Sequence, residues 1–382
     1  MKILFLDQSG KPGGAELCLL DIAKFYGDRC LVGLFADGLF REQLEQHQIP
    51  VQVLTTEAIQ VRKDSNFLQG LSSLGQLVPL ISRIVKLSRD YDLIYANTQK
   101  ALVVGAIASF LSRRPLVYHL HDIVSPDHFS AVNRRLIVSM ANRAAIVIAN
   151  SEASRQAFVA AGGRAPVEVV YNGFAPELYH NHQSRALQLR QDLQLEHQFV
   201  VGHFSRLSPW KGQHILIEAL QHCSDDVMAL LVGDALFGEQ DYVQQLHQQV
   251  VELGLASRVR FIGFRSDIPQ LMTACDLVAH TSTAPEPFGR VIVEAMLCGR
   301  PVVAAQAGGA MELVSHGKTG WLCPPHDPIK LAELIMNCHD QPQAAQAIAQ
   351  QAQQAASQRF HLDTINQQIA QLLTSTVKRT QS

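Results

Sequence analysis

The sequence is poor in what would mark a membrane span, a disulfide scaffold or a nucleic-acid binder. No run approaches the ~18 apolar residues of a membrane span, and the apolar opening, M-K-I-L-F-L, is too short for a signal peptide. Charged residues make up only 17% of the 382, and they balance to a net charge of −2. That excludes a global basic field for nucleic acid and a strong pull towards anionic lipid; any membrane contact has to be local. The seven cysteines (Cys18, Cys30, Cys223, Cys275, Cys298, Cys323, Cys338) are odd in number and never spaced C-x-x-C, so neither a disulfide framework nor a zinc site is indicated and a reducing cytoplasm fits. There is no solenoid repeat, no G-x-G-x-x-G fingerprint and no P-loop. The one D-x-D, Asp90-Tyr91-Asp92, precedes a strand pattern and reads as its solvated start. With no other carboxylate or histidine cluster in the sequence, no protein-held metal is expected.

What remains is a chain 47% hydrophobic, the composition of a globular enzyme, long enough for two or three domains. Buried-strand patterns at 1–6, 30–35, 51–54, 93–97, 116–121, 145–149 and 167–171 alternate with helical ones. The alternation restarts at 199–204, 229–233, 259–262, 277–280 and 301–305. Strand–helix alternation implies α/β units with parallel sheets covered on both faces. The expected division is an N-terminal Rossmann-like domain, 1–174, and a C-terminal one, 175–356, joined through the polar segment 172–197, with 357–382 as a last helix. The Gln/Ala-rich stretch 340–356 suits a solvated helix. Ligands of open α/β sheets bind outside the carboxyl ends of strands, and polar residues collect at those ends here.

The most informative stretch is 285–309, P-E-P-F-G-R-V-I-V-E-A-M-L-C-G-R-P-V-V-A-A-Q-A-G-G. Glu286 sits in a proline-flanked loop, and a helix is expected from about Phe288, with the amides of Phe288, Gly289 and Arg290 after Pro287 forming an anion site. Glu294 lies about two turns further on. A long polar ligand fits this layout: carboxylates for hydroxyls at both ends, amides for phosphate between them. Arg206 and Lys211, after a strand and before a helix, can reach one diphosphate, or stand as two solvated cations. His121, beside Asp122 at a strand end, can bond a substrate hydroxyl or move a proton, or be structural. Gly13-Gly14 after the first strand is a phosphate cradle or a tight turn. The helical patterns 71–89 (Arg83, Lys86, Arg89) and 132–143 (Arg134, Arg135, Arg143) read as sheet-covering helices, with a basic face that allows peripheral contact with anionic lipid.

Together these residues resemble the retaining glycosyltransferases of family 4, with the GT-B architecture of two facing Rossmann-like domains. Glu286-Pro287-Phe288-Gly289 with Glu294 resembles the E-x7-E signature, and Gly13-Gly14-Ala15-Glu16 the N-terminal glycine loop. His119-Leu120-His121-Asp122, Asn172-Gly173, Arg206-Leu207 with Lys211-Gly212, and Gly308-Gly309 with Gly320-Trp321-Leu322 are similar to the family's further landmarks. The resemblance implies that Gly13 and Gly14 approach the donor phosphates and His121 the transferring sugar. Arg206 and Lys211 would meet the diphosphate, Glu286 the sugar hydroxyls, the Phe288 and Gly289 amides the phosphate or sugar, and Glu294 the ribose. Arg265 would lie at the nucleobase pocket, and the last helices would return to the N-terminal domain.

The expected activity is transfer of a hexose-type sugar from a UDP- or GDP-linked donor to a glycan, lipid or small-molecule acceptor, without metal or cofactor. Acceptor choice is expected in 56–75, and the expected location is cytoplasmic, with peripheral membrane contact through the N-terminal domain. Two alternatives stand beside this: a nucleotide-sugar 2-epimerase of the same architecture, and a non-catalytic sugar-nucleotide-binding module.

Overall fold

The computed structural model describes residues 1–55, 74–235 and 238–381. It divides into two compact units, residues 1–173 with 362–382, and residues 174–361. The first holds a seven-stranded sheet of β1 (Ile3–Asp7), β2 (Cys30–Leu34), β3 (Val51–Val53), β4 (Leu93–Ala96), β5 (Leu116–Leu120), β6 (Ile146–Ala149) and β7 (Val167–Val169). Every pairing is parallel, in the order β3-β2-β1-β4-β5-β6-β7. β1, β4, β5 and β6 are buried at every residue, because helices cover both faces of a parallel sheet. One face packs against the helix Gly14–Tyr26 and the last helix, Leu362–Gln381, whose Ile365, Ile369, Leu373 and Val377 form one stripe at four-residue spacing. The other face takes Leu80 and Ile84 of Leu74–Ser88, the helix Gln99–Ser112, and Ile137, Val138 and Ala141 of Ala131–Ala141. The two basic helical patterns therefore do cover the sheet.

The second unit holds a six-stranded parallel sheet of β8 (Phe199–Phe204), β9 (Val227–Val232), β10 (Val259–Gly263), β11 (Leu277–His280), β12 (Val302–Ala305) and β13 (Trp321–Cys323), in the order β10-β9-β8-β11-β12-β13. β13, three residues between Gly320 and Pro324, is the strand missing from the sequence-based expectation. The chain passes between the units at 173/174 and 361/362. Phe174 bridges His361 in parallel, and its N–H donates to the Phe360 carbonyl at 2.8 Å, so Phe174 and residues 357–361 pack with the second unit.

In each sheet the strand order reverses direction beside the first strand, between β1 and β4 and between β8 and β11. Such switch points open a crevice at the carboxyl ends of the strands.

Candidate active site

In the second unit, two loops meet at the switch point. Residues 208–212 follow β8 and turn at Gly212, which adopts a left-handed φ of 74°. A Cβ there would lie 2.0 Å from the Thr281 carbonyl oxygen, so only glycine lets the turn close on the end of β11. Thr281 Oγ1 donates to the carbonyls of Gly212 (2.8 Å) and Lys211 (3.0 Å), and the Thr283 N–H donates to Trp210 at 2.8 Å. His203, whose Nε2 lies 2.9 Å from Thr281 Oγ1, is pushed down to about 3 by burial and then by His280, so it packs beneath the turn as neutral imidazole.

This scaffold aims Lys211 at Glu286. The Lys211 Nζ lies 3.0 and 2.8 Å from the two carboxylate oxygens and 4.0 Å from the centroid of the Trp210 ring. Glu286 Oε2 also accepts from Ser282 Oγ at 2.9 Å and His280 Nε2 at 3.1 Å. His280 Nδ1 accepts the Ala305 N–H at 3.4 Å, which leaves the proton on Nε2, facing the carboxylate. Burial pushes the Glu286 carboxyl up, but the Lys211 charge and the His280 hydrogen bond outweigh it and hold the group well below the usual carboxylate range. The backbone of Glu286 is fixed as well: it bridges Gly308, and the Gly309 N–H donates to its carbonyl at 2.7 Å. A Cβ on Gly308, at φ 62°, would sit 2.4 Å from that carbonyl oxygen, which accounts for the Gly308-Gly309 pair.

Phe288 is buried against Phe174 and Phe360, with ring centroids 6.4 and 5.9 Å away, so it would meet a ligand only through its backbone. The helix starts at Arg290, two residues later than the sequence pattern suggests, because Gly289 caps it at φ 101°, outside helical space. Glu294 is not a solitary carboxylate. Arg290 Nε lies 3.5 Å from its Oε1, and the guanidinium carbon stacks 4.4 Å from the Phe174 ring centroid. Arg206, after β8, has its Nε 3.3 Å from Glu239 Oε2, and Gly233 approaches so closely that its Cβ would lie 1.9 Å from the Ser205 carbonyl. Arg265, after β10, is held by both oxygens of Asp267 at 2.7 and 2.6 Å. The structure thus joins Lys211 with Glu286 and Arg290 with Glu294. His280, Ser282, Glu239 and Asp267 are the partners that sequence reasoning missed. Only Asp267, two positions from Arg265, could have been suspected from spacing.

In the first unit the switch point is bridged by Asn97. Its Nδ2 donates to Asp7 Oδ2 at 2.7 Å and to the Ala15 carbonyl at 3.1 Å, and its Oδ1 accepts from His121 Nε2 at 2.9 Å. One side chain therefore ties the end of β1 and the strand-end histidine to the first turn of the helix Gly14–Tyr26, which Gly13 caps. The sequence suggests Asp122 as the orienting group for His121. In the structure Asn97 takes that position, and Asp122 accepts from Gln99 Nε2 at 2.9 Å. Glu16 folds back on the glycine loop: a Cβ on Gly13 would lie 2.7 Å from its Oε2. Burial, then the neighbouring Asp7, pushes the Glu16 carboxyl up to about 8, and burial pushes Asp7 up to about 6. The fold also brings together a cluster that the sequence does not show: Cys18, His119 and His121 each place a potential ligand atom within 4.8 Å of the others. Asp92, of the D-x-D, accepts from the Lys2 N–H at 2.7 Å at the start of β4, the opposite end of the sheet from these residues. Residues 56–73, most of the segment expected to choose the acceptor, lie outside the described residues. Among the described residues no helix is long and apolar enough to cross a membrane.

Comparison with known proteins gives this pair of sites a lineage. Residues 12–178 match the family described as Glycosyltransferase Family 4, and residues 186–355 the family Glycosyl transferases group 1. Crystal structures of Anabaena HepE, in complexes with UDP-glucose and with UDP and glucose, are 64% and 65% identical to this chain. Each covers 98% of it and 100% of the HepE chain at a TM-score of 0.92. A D-inositol 3-phosphate glycosyltransferase 1 from Catenulispora acidiphila is 31% identical over 70% of this chain and 68% of its own length. The Spore coat protein SA of Bacillus subtilis is 35% identical over 45% of this chain, which spans about half of that relative, 49% of its length. Sucrose-phosphate synthase from Thermosynechococcus elongatus shares the fold at 18% identity and a TM-score of 0.82 over 98% of both chains. The chain belongs to the family 4 glycosyltransferases of GT-B type.

Proposed function

We propose that this glycosyltransferase moves a glucose-type hexose from UDP to an acceptor hydroxyl with retention of configuration and without a metal. The observation that carries the reading is the Lys211–Glu286 pair at the switch point of the second sheet, in a chain 64% identical to a protein crystallised with UDP-glucose. Lys211 and Arg206 supply positive charge for the diphosphate as it departs. Glu286, held as an anion by Lys211, His280 and Ser282, accepts hydrogen bonds from sugar hydroxyls, and Glu294 does so from the ribose. Gly13, Gly14 and the Phe288 and Gly289 amides approach the phosphates and sugar without side-chain obstruction. His121, oriented by Asn97, meets the transferring hexose, and Arg265 lies towards the base. In the step itself the bond from the anomeric carbon to the phosphate oxygen breaks and the bond to the acceptor oxygen forms on the same face, with the leaving phosphate taking the acceptor's proton. No protein carboxylate has to act as nucleophile.

The test is a thermal-shift series with UDP-, GDP- and ADP-glucose, followed by NMR of the product's anomeric proton. UDP-glucose is expected to raise the melting temperature most, since a ligand that binds only the folded state stabilises by mass action, and an α-linked donor should yield an α-linked product. A β-linked product would overturn retention. Formation of a 2-epimer from a UDP-N-acetylhexosamine without acceptor would make the chain an epimerase.

A peripheral membrane contact through the first unit rests on a stripe of the helix Gln99–Ser112. Phe110 and Leu111 are 77% and 58% exposed and Ile107 is exposed one turn earlier, with Arg113 just beyond the helix end. Phe110→Asp is expected to abolish cosedimentation with phosphatidylglycerol vesicles while leaving UDP-glucose binding intact. If the parent chain does not sediment with those vesicles, the contact is excluded.

A further inference from the structure

The transfer proposed above makes no use of the Cys18, His119 and His121 cluster as a metal site. His119 and His121 alternate on β5 and its carboxyl end, so both rings lie on one face of the sheet, with centroids 3.9 Å apart. Cys18, on the helix Gly14–Tyr26 that covers this face, completes a set whose ligand atoms all lie within 4.8 Å. A tetrahedral zinc site needs Zn–S of roughly 2.3 Å and Zn–N of about 2.0 Å, so the three would draw in by on the order of an ångström.

The surroundings are those of metal-binding histidines, which commonly have their second ring nitrogen hydrogen-bonded. Asn97 Oδ1 must accept, because its Nδ2 already donates to Asp7 and Ala15; His121 Nε2 therefore carries the proton and Nδ1 the lone pair. His119 Nδ1 is engaged by the Tyr95 hydroxyl at 2.7 Å, while its Nε2, on a residue 1% exposed, is buried without a hydrogen-bond partner. A buried ring nitrogen in that state is costly to leave unsatisfied. One thiol and two imidazoles form a soft-to-borderline donor set, suited to Zn²⁺ over Mg²⁺ or Ca²⁺. His121 is only partly buried, which gives the ion a way in and leaves its fourth position for water.

We infer that Cys18, His119 and His121 form a zinc-binding site that blocks the sugar subsite when it is filled. Binding releases the Cys18 thiol proton to solvent and leaves a thiolate–zinc bond. Because His121 then carries the metal, it cannot meet the hexose. The ion competes with donor sugar and acts as an inhibitor; it has no role as a cofactor. The inhibitory consequence rests on the role proposed above for His121, while the binding claim does not.

Cobalt(II) titration of the reduced, full-length protein tests the binding claim without turnover. A near-ultraviolet thiolate-to-cobalt charge-transfer band is expected, lost in both Cys18→Ala and the near-isosteric Cys18→Ser and displaced by zinc. Zinc affinity from competition with a chromophoric chelator should fall by more than about tenfold in either variant. Circular dichroism melts check that each variant is folded. Absence of the band, or its survival in both folded variants, overturns the site. In a separate arm, zinc should inhibit UDP release from UDP-glucose by the parent, and Cys18→Ala should keep parental basal turnover while resisting the ion. Equal inhibition of parent and variant, with the cobalt band present, would retain the site and reject its effect on the sugar.

Discussion

Lys211→Ala is expected to lower turnover of UDP-glucose by about 10²- to 10³-fold, the usual loss when one preorganised charge-stabilising group is removed, and to destabilise the fold as well. The second effect follows from the geometry around Glu286. The ion pair is largely buried, with side chains 17% and 11% exposed, and removing one member leaves the other charge uncompensated. Breaking such a pair costs about 3–5 kcal/mol. Urea unfolding at neutral pH measures this, and Glu286→Gln is the informative comparison, because the amide keeps much of the shape and the charge left unpaired is then the Lys211 ammonium, which sits on the more exposed side chain and on a flexible stem that can turn it towards water. Glu286→Gln should lose turnover to a similar degree but less stability. Near-parental turnover in folded Lys211→Ala would remove Lys211 from the site.

The pH dependence follows with a definite sign. In the parent, the Glu286 carboxyl is held below its unfolded value of about 4.3. The unfolded chain therefore binds more protons in the window beneath that value. The group's contribution to stability is fully present above it and is lost as pH falls through the folded value. Without Lys211, burial is opposed only by His280 and Ser282, and the folded value rises. The contribution shrinks, and the acid unfolding midpoint of Lys211→Ala should move to higher pH. An unchanged midpoint would mean that Lys211 does not set the ionisation of Glu286.

The sequence shows the frame of this site more readily than its supports. Parallel α/β units are legible because strands buried on both faces read as apolar runs, as in Ile3–Asp7 and Val227–Val232, and the glycine and E-x7-E landmarks mark loops at their carboxyl ends. Lys211 and Glu286 are both found this way; that they touch each other is not, since 75 residues separate them in the chain. Asn97, the bridge of the first unit, looks like any polar residue ending a strand until the fold sets it between Asp7 and His121. Cys18 lies more than 100 positions from the histidines it joins, and neither helical nor strand periodicity carries that information. Glu16 reads as a polar neighbour of the glycine loop, and only burial reveals a carboxyl shifted towards its neutral form. Contacts between elements are set by topology, so a local pattern places residues at strand ends without saying which ends meet.

Gly212→Ala should be the most disruptive single-methyl change near the site, and a second glycine provides its control. Gly212 and Gly254 have nearly the same left-handed φ, 74° and 68°, so alanine brings a comparable backbone cost to each, roughly 1–2 kcal/mol. Around Gly254 nothing lies within 4 Å of the added Cβ, whereas at Gly212 that atom would be 2.0 Å from the Thr281 carbonyl oxygen. The clash must be relieved by moving the turn away from the end of β11, which breaks the Thr281 bonds to the Lys211 and Gly212 carbonyls and withdraws Lys211 from Glu286. A displacement of about 1 Å in a positioned catalytic group is enough to cost on the order of 10² in rate. Gly212→Ala is therefore expected to lose about 10²-fold in kcat, with clearly more destabilisation than Gly254→Ala, which should keep parental turnover. Equal melting temperatures and equal rates for the two variants would show that the turn does not position Lys211. Loss of stability without loss of rate would confine Gly212 to the fold.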